Sequence, residues 1–480
     1  MRGDAIPPAP ANLSRQSEFT VTVVGAGIAG LAAACALADA GLQVTVLERR
    51  GYPGGRASSY LHPGTGEIID NCQHVLFGCC TNLVGFYERI GVADEIRWDS
   101  RMTLIEPGGR RSVLAPARLL APLHGLPAIL KAHCYTAADK LALMRAFSVM
   151  MRMRNPDPRE SLQHWLERHH QTPGAMERFW RLVIASALNA DLDQIALPYA
   201  EKVIRELFMN SAYAGSMGMS TVPLSELCRG AEAHLSQRGG QVVYNANVTS
   251  GSWDSENQQW TLRSSTGNAT SNFLVLALPF EATAKLVPSL PSSQFASEFA
   301  GRIGRLQHWP ICSVHLWFDR KITDLDHAVL LDRDIHWMYH KSNWQPQRDS
   351  NGSYIELVIS ASREFAALSR EEAFRRAIAQ LAEFFPEVAT AKVVKMALIK
   401  EMRATFGVPP GVDDFRPNSD SPWPNCFLAG DWIATGWPST MESAARSGHL
   451  AAEAILSSTD RPTRVLFPDL SPAGLMKLFG

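Results

Sequence analysis

The stretch FTVTVVGAGIAGLAAACALADAGLQVTVLE, residues 19–48, decides the fold. Phe19 to Val24 is an apolar, β-branched run of the kind that forms a parallel strand buried on both faces. Gly25-Ala26-Gly27-Ile28-Ala29-Gly30 follows at once, then an alanine-rich helical stretch from Leu31 to Ala40. Gly41 ends that helix, and Gln43 to Leu47 reads as a second strand closing on Glu48. Strand, glycine turn, helix and strand within about 30 residues make a complete dinucleotide-type βαβ unit. Gly25 permits the tight turn, Gly27 lets a pyrophosphate approach the backbone, and Gly30 lets helix and strand pack closely. The helix N-terminus turns free N–H groups and its positive dipole end toward the phosphates. Glu48 is placed to accept hydrogen bonds from ribose hydroxyls, and a carboxylate there disfavours the 2′-phosphate of NADP.

Around this unit the chain runs to 480 residues, with 46 Lys+Arg against 47 Asp+Glu and a net charge of −1. With 46% hydrophobic and 19% charged residues the composition is globular, which excludes disorder and collagen-like repetition. A charge near zero gives no support for a nucleic-acid partner. That average hides an asymmetry. From Arg97 to Arg154 there are ten Lys/Arg and three acidic residues, a local +7 that leaves −8 for the rest. Inside it, Leu119 to Leu130 is apolar and broken by Pro122 and Pro127, and Lys131, Lys140, Arg145, Arg152 and Arg154 follow. The stretch is too short to span a bilayer but suits a surface that dips into anionic lipid. The alternative is a helical substrate domain in which Met144, Met150, Met151 and Met153 are core. The eight cysteines form no C-x-x-C pair, so reduced, intracellular thiols are expected. Residues 1–18 read as a disordered tail without the apolar region of a signal peptide.

Further along, residues 75–210 read as mostly helical. Leu224–Arg238 reads as a helix, Gln241–Tyr244 as a strand, and Val248 begins a strand and hairpin pattern. Residues 311–318 and 353–360 read as strands, Arg370–Phe385 as a helix, and Met441–Ile455 as a helix after the short strand Cys426–Ala429. His336 and His340 stand four apart without the glutamate of a zinc-protease helix and in a stretch that reads as a strand, so no metal site is expected. His164, His169 and His170 read as an exposed polar face. No G-x-S-x-G elbow and no P-loop is present.

Two further motifs distinguish the cofactor. Arg49-Arg50-Gly51-Tyr52-Pro53-Gly54-Gly55-Arg56 follows Glu48, and Gly430-Asp431 precedes Gly436-Trp437-Pro438-Ser439-Thr440-Met441. Together with the βαβ unit these resemble the cofactor motifs of the FAD-dependent amine oxidase and phytoene desaturase superfamily, in collinear order over residues 19–458. The resemblance implies FAD bound by Gly25, Gly27, Gly30, Glu48, Arg49, Gly54, Gly55 and Arg56. It implies Val248 at the adenine, Asp431 at a ribityl hydroxyl, and Pro438, Thr440 and Met441 at the pyrimidine end of the flavin. The fold class expected is α/β: a Rossmann-like FAD-binding domain interleaved with a substrate domain of mixed sheet and helices. The boundaries expected are 19–74, 220–285 and 396–458 for the FAD-binding domain, 75–219 and 286–395 for the substrate domain, and 459–480 for a C-terminal tail.

Within the superfamily, Asp70-Asn71-Cys72-Gln73-His74 with the following Val75 to Gly91, and Gly430 to Ala444, are similar to the squalene-associated branch, the hydroxysqualene dehydroxylases of bacterial hopanoid synthesis. His315 to Asp319 and Arg403 to Phe406 also resemble that branch. Cys72 stands where glycine is common, and the Cys79-Cys80 pair is not general; neither coincides with a cofactor ligand. The resemblance implies replacement of an allylic C–OH by C–H in a C30 isoprenoid, with an electron donor for the flavin and peripheral contact with membrane lipid, in the cytoplasm on the inner face of the cell membrane. Such chemistry needs an acid for the leaving hydroxyl, a dry apolar cavity and hydride from the flavin. His74 is the candidate acid, and its alternative is a packing residue on the flavin face. The other readings are a carotenoid or phytoene-type desaturase, which runs hydride the opposite way, an amine oxidase, and a non-catalytic lipid carrier like the GDP-dissociation inhibitors.

Overall fold

The computed structural model describes residues 19–345, 352–459 and 462–479; the tail expected over residues 1–18 lies outside the described residues. Strand β1 (Thr20–Val24) forms as the β-branched run requires, and it lies at the centre of a five-stranded parallel sheet. The order is Gln241–Val243, β2 (Gln43–Leu47), β1, Phe273–Leu276, Cys426–Leu428. Val21 stands opposite both Val44 and Phe273, and Leu274 opposite Cys426. The helix α1 (Ile28–Asp39) is buried from Ile28 to Ala38. A helix with no wet face has no use for amphipathicity, and its alanines let backbones approach on every side. Gly41, at a φ of 83°, takes the left-handed conformation that ends it.

A second sheet has seven strands of mixed direction. It contains His308–Phe318 and Ser353–Ile359, which were expected, flanked by Val393–Phe406 and by Trp337–His340. The helices expected near 370 and 441 are Arg370–Phe384 and Met441–Ser457. The helix Ala137–Arg152 in the basic segment starts on a capping box, with Thr136 and Asp139 each satisfying the other's backbone N–H.

One expectation is corrected. The region 75–210 is not mainly helical at its start, because Val75–Phe77, Ile96–Asp99, Met102–Ile105 and Arg111–Leu114 are strands. Three of the four pair with segments far away in sequence: Val75–Phe77 and Ile96–Asp99 flank Met217–Ser220, and Met102–Ile105 pairs with His327–Leu330. The 18 described residues 462–479 of the C-terminal tail are tied to the rest of the fold by specific contacts. The Val465 and Leu466 N–H groups donate to Glu453 at 2.7 and 2.8 Å, Phe467 N–H donates to Asn82 Oδ1 at 3.0 Å, and Asp469 pairs with Lys202 at 2.8 Å. The strap then reaches the basic segment, where Leu475 N–H donates to the Ala121 carbonyl at 2.8 Å. Its anchors are single side chains on distant elements, which explains why its own sequence reads as loop.

Several histidines hold this packing only while neutral. His449 is fully buried; its Nδ1 lies 2.9 Å from Asn82 Oδ1 and its Nε2 3.0 Å from an Arg89 nitrogen, so Nδ1 donates and Nε2 accepts. Burial, with Arg89 and Arg446 alongside, pushes it down to about 3; burial likewise pushes His336 and His340 down to about 4. A histidine depressed in the folded state binds its proton first in the unfolded chain, so stability is full above about pH 6.5 and is lost as pH falls toward 4. Thermal melts between pH 7.5 and 4 are expected to show Tm falling steadily below pH 6.5, and His449→Gln, which can still donate and accept, should flatten that slope.

Candidate functional site

The carboxyl ends of β1 and β2 and the N-termini of α1 and of the helix Met441–Ser457 open on one cavity of about 710 Å³. Gly25, Gly27, Glu48, Arg49, Gly54, Gly55, Arg56, Val248, Gly430, Asp431, Pro438, Thr440, Met441 and His74 all line it. Of the residues singled out from sequence only Gly30 does not. Its Cα faces inward, where a Cβ would overlap the Gly25 carbonyl oxygen, so its role is helix–strand packing as expected.

The glycines separate by what they approach. Gly25 and Gly54 have φ of 108° and 103°, and a Cβ on either would run into backbone. Gly27 is different: a Cβ there would find only the Gly55 Cα, at 3.9 Å, so nothing in the protein itself requires glycine. The bare backbone there leaves the α1 N-terminus open to a ligand in the cavity. Gly54 N–H donates to the Ala26 carbonyl at 2.8 Å, which brings the second glycine turn beside the first. Glu48 accepts from Ala26 N–H and Arg50 N–H, both at 2.8 Å, so its carboxylate is oriented by backbone before any ribose arrives. Thr440 caps the second helix through Ser443 N–H at 3.1 Å, leaving the preceding backbone turned to the cavity.

Charge is concentrated at one crossing. Arg56 pairs with Asp431, and its other nitrogen donates to the Ala404 carbonyl at 3.0 Å. Burial disfavours the guanidinium, yet Asp431, with Glu281 and Glu401, more than offsets this and holds Arg56 above its ordinary range. Ser439 Oγ–H donates to the second Asp431 oxygen. Beyond this pair lie Asn71, Cys72, Gln73, His74, Val75 and Phe77. His74 Nδ1 lies 2.7 Å from the Cys72 carbonyl, so Nδ1 carries the proton and Nε2 is the ring nitrogen left to act; burial lowers the His74 pKa and keeps it neutral at pH 7.

Cys72, Cys79 and Cys80, which the sequence set apart from cofactor ligands, form part of the cavity wall. Burial raises the Cys72 pKa well above the thiol range, and the Cys80 hydrogen bond together with burial does the same for Cys79, so neither is a ready nucleophile. Sequence reasoning also missed Lys202, Glu206 and Trp437 in the wall. Lys202 sits over the Trp437 ring at 5.0 Å and is locked by Glu206 and Asp469, an arrangement without a sequence signature because Asp469 comes from the strap.

The chain belongs to the flavin-containing amine oxidoreductase family, whose pattern matches residues 28–456. It is 27% identical over 470 residues to the 15-cis-phytoene desaturase of Synechococcus elongatus, covering 92% of this chain and 97% of that one. It is also 27% identical over 483 residues to the zeta-carotene desaturase of a Synechocystis strain, covering 92% and 98%. Among solved structures it resembles putrescine oxidase bound to putrescine, with a TM-score of 0.70, 16% identity and coverage of 92% and 99%. Cyclohexylamine oxidase from Brevibacterium oxydans gives a TM-score of 0.64, 20% identity and coverage of 92% and 99%. The protein is an FAD-dependent oxidoreductase of the amine oxidase superfamily, and its site fits the cofactor. Gly27 and the α1 N-terminus suit the pyrophosphate, Glu48 the ribose, Val248 the adenine side, and Asp431 and the Thr440-capped helix the flavin side.

Because Gly27 faces the cavity while Gly30 faces the fold, the two should part on substitution. Gly27→Ala is expected to keep the parent Tm of the cofactor-free protein and to weaken FAD binding by at least about tenfold, read by flavin fluorescence titration. Gly30→Ala is expected to lower the cofactor-free Tm itself.

Proposed function

We propose that the protein removes the hydroxyl of hydroxysqualene reductively to give squalene, as a step in C30 isoprenoid synthesis. The observation that carries this reading is His74: the Asp70–Gly78 stretch, which carries the resemblance to the squalene-associated branch, is also the stretch that brings an imidazole into the cavity. The wall also offers apolar surface, with Phe77, Leu83, Val203, Leu207 and Ile311, which suits an isoprenoid and a water-sensitive allylic cation. Bound FAD supplies the hydride chemistry. The protein's part is to hold the allylic carbon in place, keep water out and give a proton to the departing oxygen, which leaves as water. His74 Nε2 receives the substrate hydroxyl in a hydrogen bond when neutral and donates to it when protonated. The second reading, a desaturase, is favoured by the curated relatives and by the neutral state of His74, since a neutral Nε2 is already a base.

The two readings predict opposite signs. In dehydroxylation the working form of His74 is protonated, so single-turnover rates rise as pH falls below 6.5; in desaturation the neutral form works, and rates fall. Anaerobic incubation of the reduced holoenzyme with hydroxysqualene should yield squalene by mass analysis, and His74→Gln should slow that step by roughly a hundredfold while keeping FAD bound. Oxidised protein that desaturates phytoene, with no squalene formed by the reduced protein, overturns the reading in favour of the second.

We propose further that the basic segment rests on anionic lipid. Leu119, Leu120, Leu123 and Leu130 are 43–64% exposed, and Leu475 and Leu478 of the strap are 40% and 74% exposed. They are neighbours: Gly474 lies against Leu120 and Ala121, and Lys140 Nζ donates to the Leu130 carbonyl at 2.7 Å. Exposed leucines among cations, with Asp139 buried in its capping box, give a face complementary to an anionic bilayer. Among the described residues no helix is long and apolar enough to cross a membrane. The holoenzyme is expected to sediment with phosphatidylglycerol vesicles at low salt and not with phosphatidylcholine vesicles, and Leu120→Glu with Leu478→Glu should abolish it. Equal sedimentation by the variant would reject this surface.

A further inference from the structure

Asp70, Lys341 and Glu356 are among the most buried charged side chains of the protein, with side-chain exposures of 2%, 1% and 0%. Lys341 Nζ lies 2.5 Å from Asp70 Oδ2, donates to Gln73 Oε1 at 2.6 Å and stands 3.6 Å from Glu356 Oε2. The other Asp70 oxygen accepts from Ser59 Oγ–H at 2.6 Å and from Leu224 N–H at 3.2 Å. Glu356 Oε1 accepts from Ser313 Oγ–H at 2.9 Å. Burial raises the Glu356 pKa, and the Lys341 ammonium beside it pulls the other way.

The three residues come from two different layers. Asp70 ends the hairpin Ser59–Leu61 and Ile68–Asp70, which leads out of the cofactor-binding turns. Lys341 follows the strand Trp337–His340 and Glu356 lies on Ser353–Ile359, both in the seven-stranded sheet. Apolar side chains of similar volume would hold two layers together as firmly, because taking charges out of water is costly. What a buried ion pair adds is direction: only one arrangement satisfies every donor and acceptor.

The segment leaving Asp70 is Asn71-Cys72-Gln73-His74, and all four residues line the cavity. Asn71 Nδ2–H donates to Glu401 at 3.2 Å and to the Arg56 carbonyl at 3.3 Å. The His74 ring is fixed to the segment by the Cys72 carbonyl, and the segment is fixed to the sheet by Lys341. We propose that Lys341 is a positioning residue: by holding Asp70 and Gln73 at once it sets where Asn71–His74 lies in the cavity, and so where the His74 ring meets the substrate. The last clause rests on the role given to His74 above; the first does not.

Lys341→Met alone would strand the Asp70 carboxylate in the interior and unfold the protein. The informative variant is therefore Asp70→Asn with Lys341→Met, which removes both charges. In its FAD-loaded form, Cys72 is expected to react with N-ethylmaleimide at least tenfold faster than in the parent, mapped by mass spectrometry, while buried Cys228 and Cys426 stay protected. Hydroxysqualene turnover should lose about tenfold in kcat with KM unchanged, the mark of a misplaced group rather than lost binding. Cys72 as slow as in the parent overturns the proposal; faster labelling with an unchanged kcat overturns its extension to His74. Should the double variant fail to hold FAD, Gln73→Leu, which keeps the ion pair, carries the same outcomes. Labelling needs no substrate, so a parent protein inactive on hydroxysqualene would reject the substrate reading and leave the labelling result to judge Lys341.

Discussion

Helix α1 is held between two backbones, and the rest of the structure is arranged around that contact. On one side Gly30 lies against the Gly25 carbonyl and the end of the central sheet; on the other, Gly448 of the helix Met441–Ser457 lies against the Ala29 carbonyl and Ala33. Neither approach tolerates a Cβ. Close packing of this kind leaves no freedom to slide, because a shift of a few tenths of an ångström already forfeits contact or creates overlap. Two helices locked side by side then present their N-termini to the same cavity, one at Gly27 and the other at Thr440. The distance between the phosphate end and the flavin end of the site is thus a packing distance, set by alanines and glycines far from any reacting atom.

That geometry also accounts for the interleaving of the chain. A parallel sheet offers its ligand the carboxyl ends of its strands, and those ends are supplied by segments near residues 24, 47, 276 and 428. The intervening sequence is free to build the substrate side, provided it returns each time to the sheet. The Arg56–Asp431 pair closes the loop, joining the second glycine turn to the last strand across 375 residues.

The motifs that bind the cofactor were legible because each is a local conformation with its own chemistry. Gly25 and Gly54 need positive φ, Glu48 ends a strand, and Thr440 starts a helix; every one of these is decided within a few residues. Legibility ends where a residue's role depends on a partner far off in sequence. Strands of three or four residues, such as Val75–Phe77, carry too little periodicity to be told from helix and exist only because Met217–Ser220 completes them. The strap over residues 462–479 has the composition of a loop and is ordered by Glu453, Asn82 and Lys202. Lys341 and Glu356 have no local signature at all, since a lysine after a strand reads as surface until its 271-residue separation from Asp70 is closed.

On the proposed dehydroxylation and on its desaturase alternative alike, an apolar isoprenoid would be held against the flavin, with hydride leaving the ring or arriving at it. Shape therefore does not separate a dehydroxylase from a desaturase on this fold; ownership of one proton does. A departing hydroxide must be given a proton, whereas a carbon losing hydride must afterwards lose one. His74 faces this choice with its Nδ1 committed to the Cys72 carbonyl and only Nε2 in play. Burial favours the neutral ring, while Asp70 and Glu356 nearby favour the charged one. Glu356 counts only to the extent that it is ionised, and Lys341 beside it pulls its pKa down against burial. Burial is the larger influence on the His74 ring, and the buried Asp70–Lys341–Glu356 cluster acts on it from behind the cavity wall.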